Sequence, residues 1–176
     1  MAKVINKNKP FVAVLMGSDS DFQVMQHTLE VLAKLGIQYE VKITSAHRTP
    51  EATHSYVKQA DKRGCAVFIA AAGLAAHLAG TIAGITIKPV IGVPMDGGSL
   101  GGMDALLSTV QMPAGIPVAC VAIGKAGAKN AAYLAAQMLG LSSSKITELL
   151  LEDRAENART IKEKDAAISK QHSTKN

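Results

Sequence analysis

The chain has 176 residues, enough to bury one core and too few for two domains of ordinary size. Aliphatic residues must build that core, because only three Tyr, three Phe and no Trp stand among the 48% of apolar residues, and this scarcity of aromatic platforms argues against a nucleic-acid reader that stacks bases. The formal charge of +5 comes from scattered basic residues, which suits attraction of small anionic metabolites rather than a polyanion.

In chain order, strand and helix alternate. Phe11–Met16 is a short apolar run read as the first strand, after an N-terminal extension over 1–10. Helical spacing follows from Ser20 to Leu35 and stops at Gly36. Tyr39–Thr44 is a second strand. Pro50 suits the first turn of a helix reaching Arg63, closed by Gly64. Cys65–Ala72 is a third strand, apolar throughout; Pro89–Pro94 is a fourth and Val118–Ile123 a fifth. Helices are expected over 74–85, 102–110 and 126–140. Strands apolar on both faces and separated by helices imply a parallel sheet covered on both sides. The expected fold class is α/β: a three-layer, doubly wound, flavodoxin-like sheet of five parallel strands, forming one catalytic domain over 11–142. Ligands of such sheets sit beyond the carboxyl ends of the strands, in loops beginning at 17, 45, 73, 95 and 124.

An added C-terminal helix is expected over 143–170, followed by a disordered tail over 171–176. That helix is charged, with sparse apolar positions at Ile146, Leu149, Leu150, Ile161 and Ile168. It reads either as a solvated terminal helix or as an arm on a neighbouring subunit. Two further features point to an oligomer. Leu74–Ile87 is apolar nearly all round, which a small monomer cannot bury, and Ala131–Gly140 is rich in small residues that allow close helix contact. No membrane is expected, since no run reaches ~20 continuous apolar residues, and Met1–Asn8 lacks a signal-peptide pattern. Cys65 and Cys120 lie far apart in apolar runs and read as buried thiols of a reducing, cytoplasmic compartment.

Three loops carry candidate chemistry. Gly17-Ser18-Asp19-Ser20-Asp21 opens the first helix, where free N–H groups and the hydroxyls of Ser18 and Ser20 attract an anion and Asp21 suits ribose hydroxyls; plain helix capping is the competing reading. Ser45-Ala46-His47-Arg48-Thr49-Pro50 follows the second strand. Arg48 can clamp phosphate with its planar fork, and His47 can carry a proton near neutral pH. Ala71-Ala72-Gly73-Leu74-Ala75-Ala76-His77-Leu78 follows the third strand. Its small residues, Gly73 among them, leave room for a ligand, and His77 stands there as a site residue or as a satisfied core histidine. His27, His54 and His172 read as structural or solvated.

Other signatures fail. Gly97-Gly98-Ser99-Leu100-Gly101 has the spacing of a hydrolase nucleophile elbow, but Pro94-Met95-Asp96 intervene and only His172 lies downstream. This glycine-rich loop is better suited to covering a site. Gly124-Lys125 lacks the rest of a P-loop, and no GxGxxG follows the first strand. No His/Cys spacing suits zinc, so no metal site is expected. Ala72 stands where a phospho-acceptor domain would want Asp, and aromatic partners for a flavin are few.

The stretches MGSDSD (16–21), SAHRTP (45–50), AGLAAHLAG (72–80), KPVIGVP (88–94), LLSTVQMPAGIPVA (106–119) and GKAGAKNAAYLAAQ (124–137) closely resemble the 5-(carboxyamino)imidazole ribonucleotide mutases of bacterial purine synthesis, also described as the catalytic subunit of phosphoribosylaminoimidazole carboxylase. The resemblance covers about residues 11–140. It implies an isomerase that moves a carboxylate from the exocyclic nitrogen to carbon 4 of the imidazole ribonucleotide, through decarboxylation and recapture of CO2, without ATP, metal or organic cofactor. It places His47 on the catalytic histidine, Ser18, Asp21 and Arg48 on substrate-binding residues, and Ser20, Ser45, Gly73 and His77 on the same site. It further implies homo-octamers with sites at subunit contacts, and coupling to the ATP-dependent synthetase that makes the substrate. Leu74, Ala79 and Thr81 depart from the family, where Gly, Pro and Met are common. Two alternatives stay open: a carboxylase taking free CO2 onto aminoimidazole ribonucleotide, and a non-catalytic nucleotide-binding module that would not need His47.

Overall fold

A computed structural model describes residues 9–172. Most of the expected N-terminal extension, and 173–176 of the expected tail, lie outside the described residues. Five strands form one parallel sheet: β1 (Phe11–Met16), β2 (Gln38–Ile43), β3 (Cys65–Ala72), β4 (Val90–Pro94) and β5 (Ala119–Cys120). Their order is β2-β1-β3-β4-β5, the flavodoxin-like arrangement expected for strands joined by crossover helices. The helices are α1 (Phe22–Lys34), α2 (Pro50–Lys62), α3 (Leu78–Ala83), α4 (Met103–Val110), α5 (Gly124–Gly140) and α6 (Ser144–His172).

The apolar runs behave as their composition demands. Every residue of β1 is fully buried, as are Phe68 and Ile69 of β3 and Ile91 of β4. Alternation splits the core across the sheet. Val12, Val14, Met16, Val67, Ile69 and Ile91 face α1 and α5, whereas Phe11, Ala13, Leu15, Phe68, Ala70 and Val90 face α2 and α3. The cysteine reading holds for Cys65: it is buried and unpaired, and burial pushes its thiol up to about 12. Cys120 is unpaired and half-buried.

Several elements differ from the sequence expectation. The helix expected over 74–85 is a single short helix, Leu78–Ala83, because Leu74 takes a left-handed backbone (φ 57°) that no α-helix accommodates. Its apolar residues Leu78, Ala79 and Ile82 are buried within the chain itself, whereas Leu74 and Ile87, on either side of the helix, are exposed. The small-residue stripe of α5 is likewise satisfied internally. Ala128, Ala131, Ala132, Ala135 and Ala136 are fully buried in the cluster that includes α1, and Thr28 Oγ1 donates to the Ala128 carbonyl at 2.7 Å. At Gly127 the constraint is local to the start of α5: a Cβ would stand 1.6 Å from the carbonyl oxygen of Ala122, in the segment leading into the helix.

β5 is only two residues long, not six, because its ladder with β4 covers Ala119 and Cys120 alone before the chain turns into α5. α1 is preceded by a 3₁₀ turn, Asp19–Asp21, instead of starting at Ser20. α6 continues through Gln171 and His172, past the expected start of the tail. Its first half docks on the domain through Ile146, Leu149, Leu150 and the buried Asp153; nearly all of its later residues are exposed. No described helix is long and apolar enough to cross a membrane.

Candidate active site

β1 lies between β2 and β3, so the order of the strands reverses beside it, and the loops after β1, β2, β3 and β4 rise around one crevice at that switch point. Backbone hydrogen bonds prolong the ladder into these loops: Gly17 N–H donates to the Ala71 carbonyl (3.0 Å), Thr44 to Met16 (2.9 Å) and Met95 to Ala72 (2.9 Å). The result is a cavity of about 670 Å³, the size of ordinary small-molecule sites. All eight sequence-nominated residues line it: Ser18, Ser20, Asp21, Ser45, His47, Arg48, Gly73 and His77. The loop beginning at 124 does not reach it.

In the first loop, capping and site-lining coexist. Ser18 Oγ accepts from Ser20 N–H at 3.3 Å, holding the 3₁₀ turn. Asp21 heads α1 but makes no side-chain capping bond; its carboxylate accepts a long bond from Ser20 Oγ, 3.4 Å. Burial pushes its carboxyl above the ordinary value, against the hydrogen bonds from Ser18 and Ser20 that lower it, with Asp19 adding to the rise. A partly buried carboxylate with spare lone pairs suits hydroxyl donors rather than phosphate.

In the second loop, a hydroxyl network sets the backbone. Thr53 Oγ1, fully buried on α2, lies 2.8 Å from Thr44 Oγ1. Thr49 Oγ1 accepts from Ser45 N–H (3.0 Å) and Ser45 Oγ from Arg48 N–H (3.1 Å). This tight turn projects His47 and Arg48 outward. Arg48 Nη2 donates to the Gly17 carbonyl at 3.0 Å, tying the second loop to the first and leaving its other N–H groups for a ligand.

In the third loop, His77 stands just before α3 and meets His47: Nδ1 of His77 is 2.8 Å from Nε2 of His47, the rings edge to face. His77 is therefore exposed and paired across the crevice, not a satisfied core histidine. Ser108 of α4 steadies this loop, its Oγ accepting from Ala76 N–H at 3.1 Å. Of the expected cover, Met95–Gly98 line the cavity while Ser99–Gly102 do not.

Sequence reading missed the supporting residues Thr44, Thr49, Thr53 and Ser108. A hydroxyl at Thr49 directly before Pro50 was the available signal, since such residues commonly serve local backbone bonds. Ser108 carries no local signal, because its partner lies 32 positions away. No group of three or more His, Cys, Asp or Glu among the described residues has the geometry to hold a metal ion.

The arrangement brings serine hydroxyls, the Arg48 guanidinium, the partly buried Asp21 carboxylate and the hydrogen-bonded His47–His77 pair to one cavity. Residues 11–160 match the family model described as AIR carboxylase. The N5-carboxyaminoimidazole ribonucleotide mutase of Pseudomonas aeruginosa is 53% identical over 150 residues, spanning 85% of this chain and 92% of that protein. The protein of the same name from Pyrococcus horikoshii is 50% identical over 160 residues, spanning 91% and 89%. The crystal structure of Treponema denticola PurE superposes with a TM-score of 0.82 at 33% identity, covering 90% of this chain and 98% of that one.

Proposed function

The chain belongs to the AIR carboxylase family, and on that premise we propose that it is an N5-carboxyaminoimidazole ribonucleotide mutase of purine biosynthesis. The observation that carries the reading is the His47–His77 pair, set in one cavity beside Arg48 and the Ser18–Asp21 loop. The mutase names of relatives about half identical to it favour transfer over direct carboxylation.

Ser18, Ser20, Ser45 and Arg48 take the phosphate, Asp21 the ribose hydroxyls, and Gly73 leaves room for the imidazole. The bond between the exocyclic nitrogen and the carboxylate breaks, its electron pair staying on nitrogen, and CO2 is released into the pocket. Protonated His47 delivers a proton to that nitrogen. Carbon 4 of the ring then attacks CO2, and His47, now neutral, removes the proton that carbon 4 sheds. One group thus serves both steps, and the sum is an isomerisation in which no oxidant, reductant or nucleoside triphosphate enters the balance. His77 holds the His47 ring. Leu78 and Met95, both buried, keep part of the wall dry so that CO2 survives between the steps.

The protein acts as a homo-oligomer, an octamer, in a reducing cytoplasm, fed by the ATP-dependent synthetase that makes its substrate. The support for assembly lies on the outside of α4, where Met103, Leu107 and Val110 are exposed at helical spacing, with exposed Leu100 in the turn before them.

The test is formation of the 4-carboxylated ribonucleotide by purified protein without ATP. The N-carboxylated ribonucleotide is supplied in one arm, and the uncarboxylated one with dilute bicarbonate in the other. Rapid product from the first arm alone is expected. Efficient product from the second would move the chain to the direct carboxylases. No product from either, with folded protein, would favour a binding module.

A further inference from the structure

α6 docks on the domain by one face, through Ile146, Leu150 and the buried Asp153. About a quarter turn round the helix lies a second stripe. Leu151, Arg154, Ala158, Ile161, Asp165 and Ile168 follow one another there at alternating steps of three and four residues. All six are exposed, and the three large apolar ones are 63%, 65% and 60% exposed. Alternating steps of three and four are the spacing by which two helices interdigitate along a seam.

The stripe is its own complement. About the point between Arg159 and Thr160, Leu151 mirrors Ile168, Arg154 mirrors Asp165 and Ala158 mirrors Ile161. A second copy laid antiparallel therefore sets apolar against apolar and arginine against aspartate. Every contact then occurs twice, as a two-fold axis requires. Parallel pairing in register would set Arg154 against Arg154 and Asp165 against Asp165, and like charges oppose that. Among the described residues neither Arg154 nor Asp165 has an ion-pair partner within the chain, so both charges are open to a second copy.

We infer that the distal half of α6 is a docking surface for the same segment of a second copy, paired antiparallel, with Arg154 of each copy against Asp165 of the other. The inference deepens the homo-oligomer reading above and is independent of the carboxyl-transfer chemistry.

The experiment is disulfide trapping on the full chain. Leu151→Cys and Ile168→Cys are made singly and together, and each protein is oxidised with diamide, separated without reductant and mapped by peptide mass spectrometry. Along one helix the two positions lie about 25 Å apart, far beyond the reach of a disulfide, so a 151–168 link can only join two copies. The variant carrying both changes is expected to give covalent dimers through that link. Neither single variant should dimerise beyond the unmodified chain, whose Cys65 and Cys120 set the background. Links of 151 to 151 or 168 to 168 in the single variants would show parallel pairing and overturn the inference, as would the absence of any 151–168 link.

Charge exchange checks the register without added cysteine. Arg154→Asp and Asp165→Arg should each raise amide hydrogen exchange over 155–168 several-fold, and the variant carrying both should return towards the unmodified chain. Exchange in that variant as fast as in either single one overturns the pairing. Sedimentation keeps the two readings apart. A monomeric unmodified chain overturns the homo-oligomer reading and this inference with it, whereas an oligomer without the 151–168 link overturns the pairing alone.

Discussion

His47 Nε2 and His77 Nδ1 stand 2.8 Å apart, with ring planes at 80°. Only one proton fits between two ring nitrogens at that distance, so one ring donates and the other accepts, and the tautomer of each is bound to that of its partner. The two residues are 30 positions apart, on loops following β2 and β3, the strands that flank β1.

That pairing separates two roles. His47→Asn is expected to lower kcat by about 10²- to 10⁴-fold, the usual weight of a general acid/base, with substrate binding largely kept. His77→Ala removes one hydrogen bond and is expected to lower kcat about tenfold. His77→Asn offers an amide near the position of Nδ1 and should recover much of that loss. Steady-state kinetics on the three variants, with ligand affinity by calorimetry, reads both effects. Equal damage from His77→Ala and His77→Asn would show that the contact with His47 is not what matters.

Arg48 has one N–H committed to the Gly17 carbonyl. Arg48→Lys keeps the charge and loses the fork that spans loop and phosphate together. A charge-assisted hydrogen bond is worth about 1.5–3 kcal/mol, so KM should rise about tenfold to a hundredfold with kcat changed far less. Inorganic phosphate as a competitive inhibitor should weaken in parallel.

Asp21 is held above its ordinary carboxyl value, chiefly by burial. A raised folded value means that the fold binds the proton more readily than the unfolded chain. This group therefore favours folding most at pH below the ordinary value of 3.8. That contribution is lost as pH rises through the folded value, leaving the ionised group a cost at neutral pH. Asp21→Asn should accordingly leave the melting temperature at pH 7 unchanged or higher, while weakening substrate binding. A clear loss of thermal stability at pH 7 would contradict this.

Asp153 runs the other way. Burial pushes its carboxyl up, but hydrogen bonds from Lys34, Tyr133 (2.8 Å) and Asn157 (3.0 Å), with the Lys34 charge, outweigh burial and hold it below its ordinary value. A depressed folded value contributes stability that is complete above the ordinary value of 3.8 and is lost as pH falls through the folded one. Asp153→Asn should cost about 2 kcal/mol at pH 7, loosening α6 from α1 and α5. The gap to the unmodified chain should close on acidification below the ordinary carboxyl range. Thermal melts at pH 7 and at acid pH, with hydrogen exchange over α6, measure it.

What the sequence determined by itself is what local chemistry dictates. An apolar run as short as Phe11–Met16, closed by Gly17, fits a buried strand better than a helix, and Pro50 with Gly64 brackets α2 to within a residue. The parallel sheet and the carboxyl-end loops follow from that alternation, so all eight nominated residues were found at one edge. Tertiary structure alone decided the rest, because it depends on partners far away in the chain. The left-handed turn at Leu74 cut short a segment whose composition reads as helix, and Ser108 and Gly98 hold that turn from other elements. The alanines of α5 reveal only that something packs close; that it is α1, within the same chain, was decided by the sheet order. The arm is anchored where Asp153 meets Lys34, 119 positions earlier, and no spacing rule reaches that far. The proton shared by His47 and His77 belongs to the same class, since each histidine is only a nominee until folding brings the rings together.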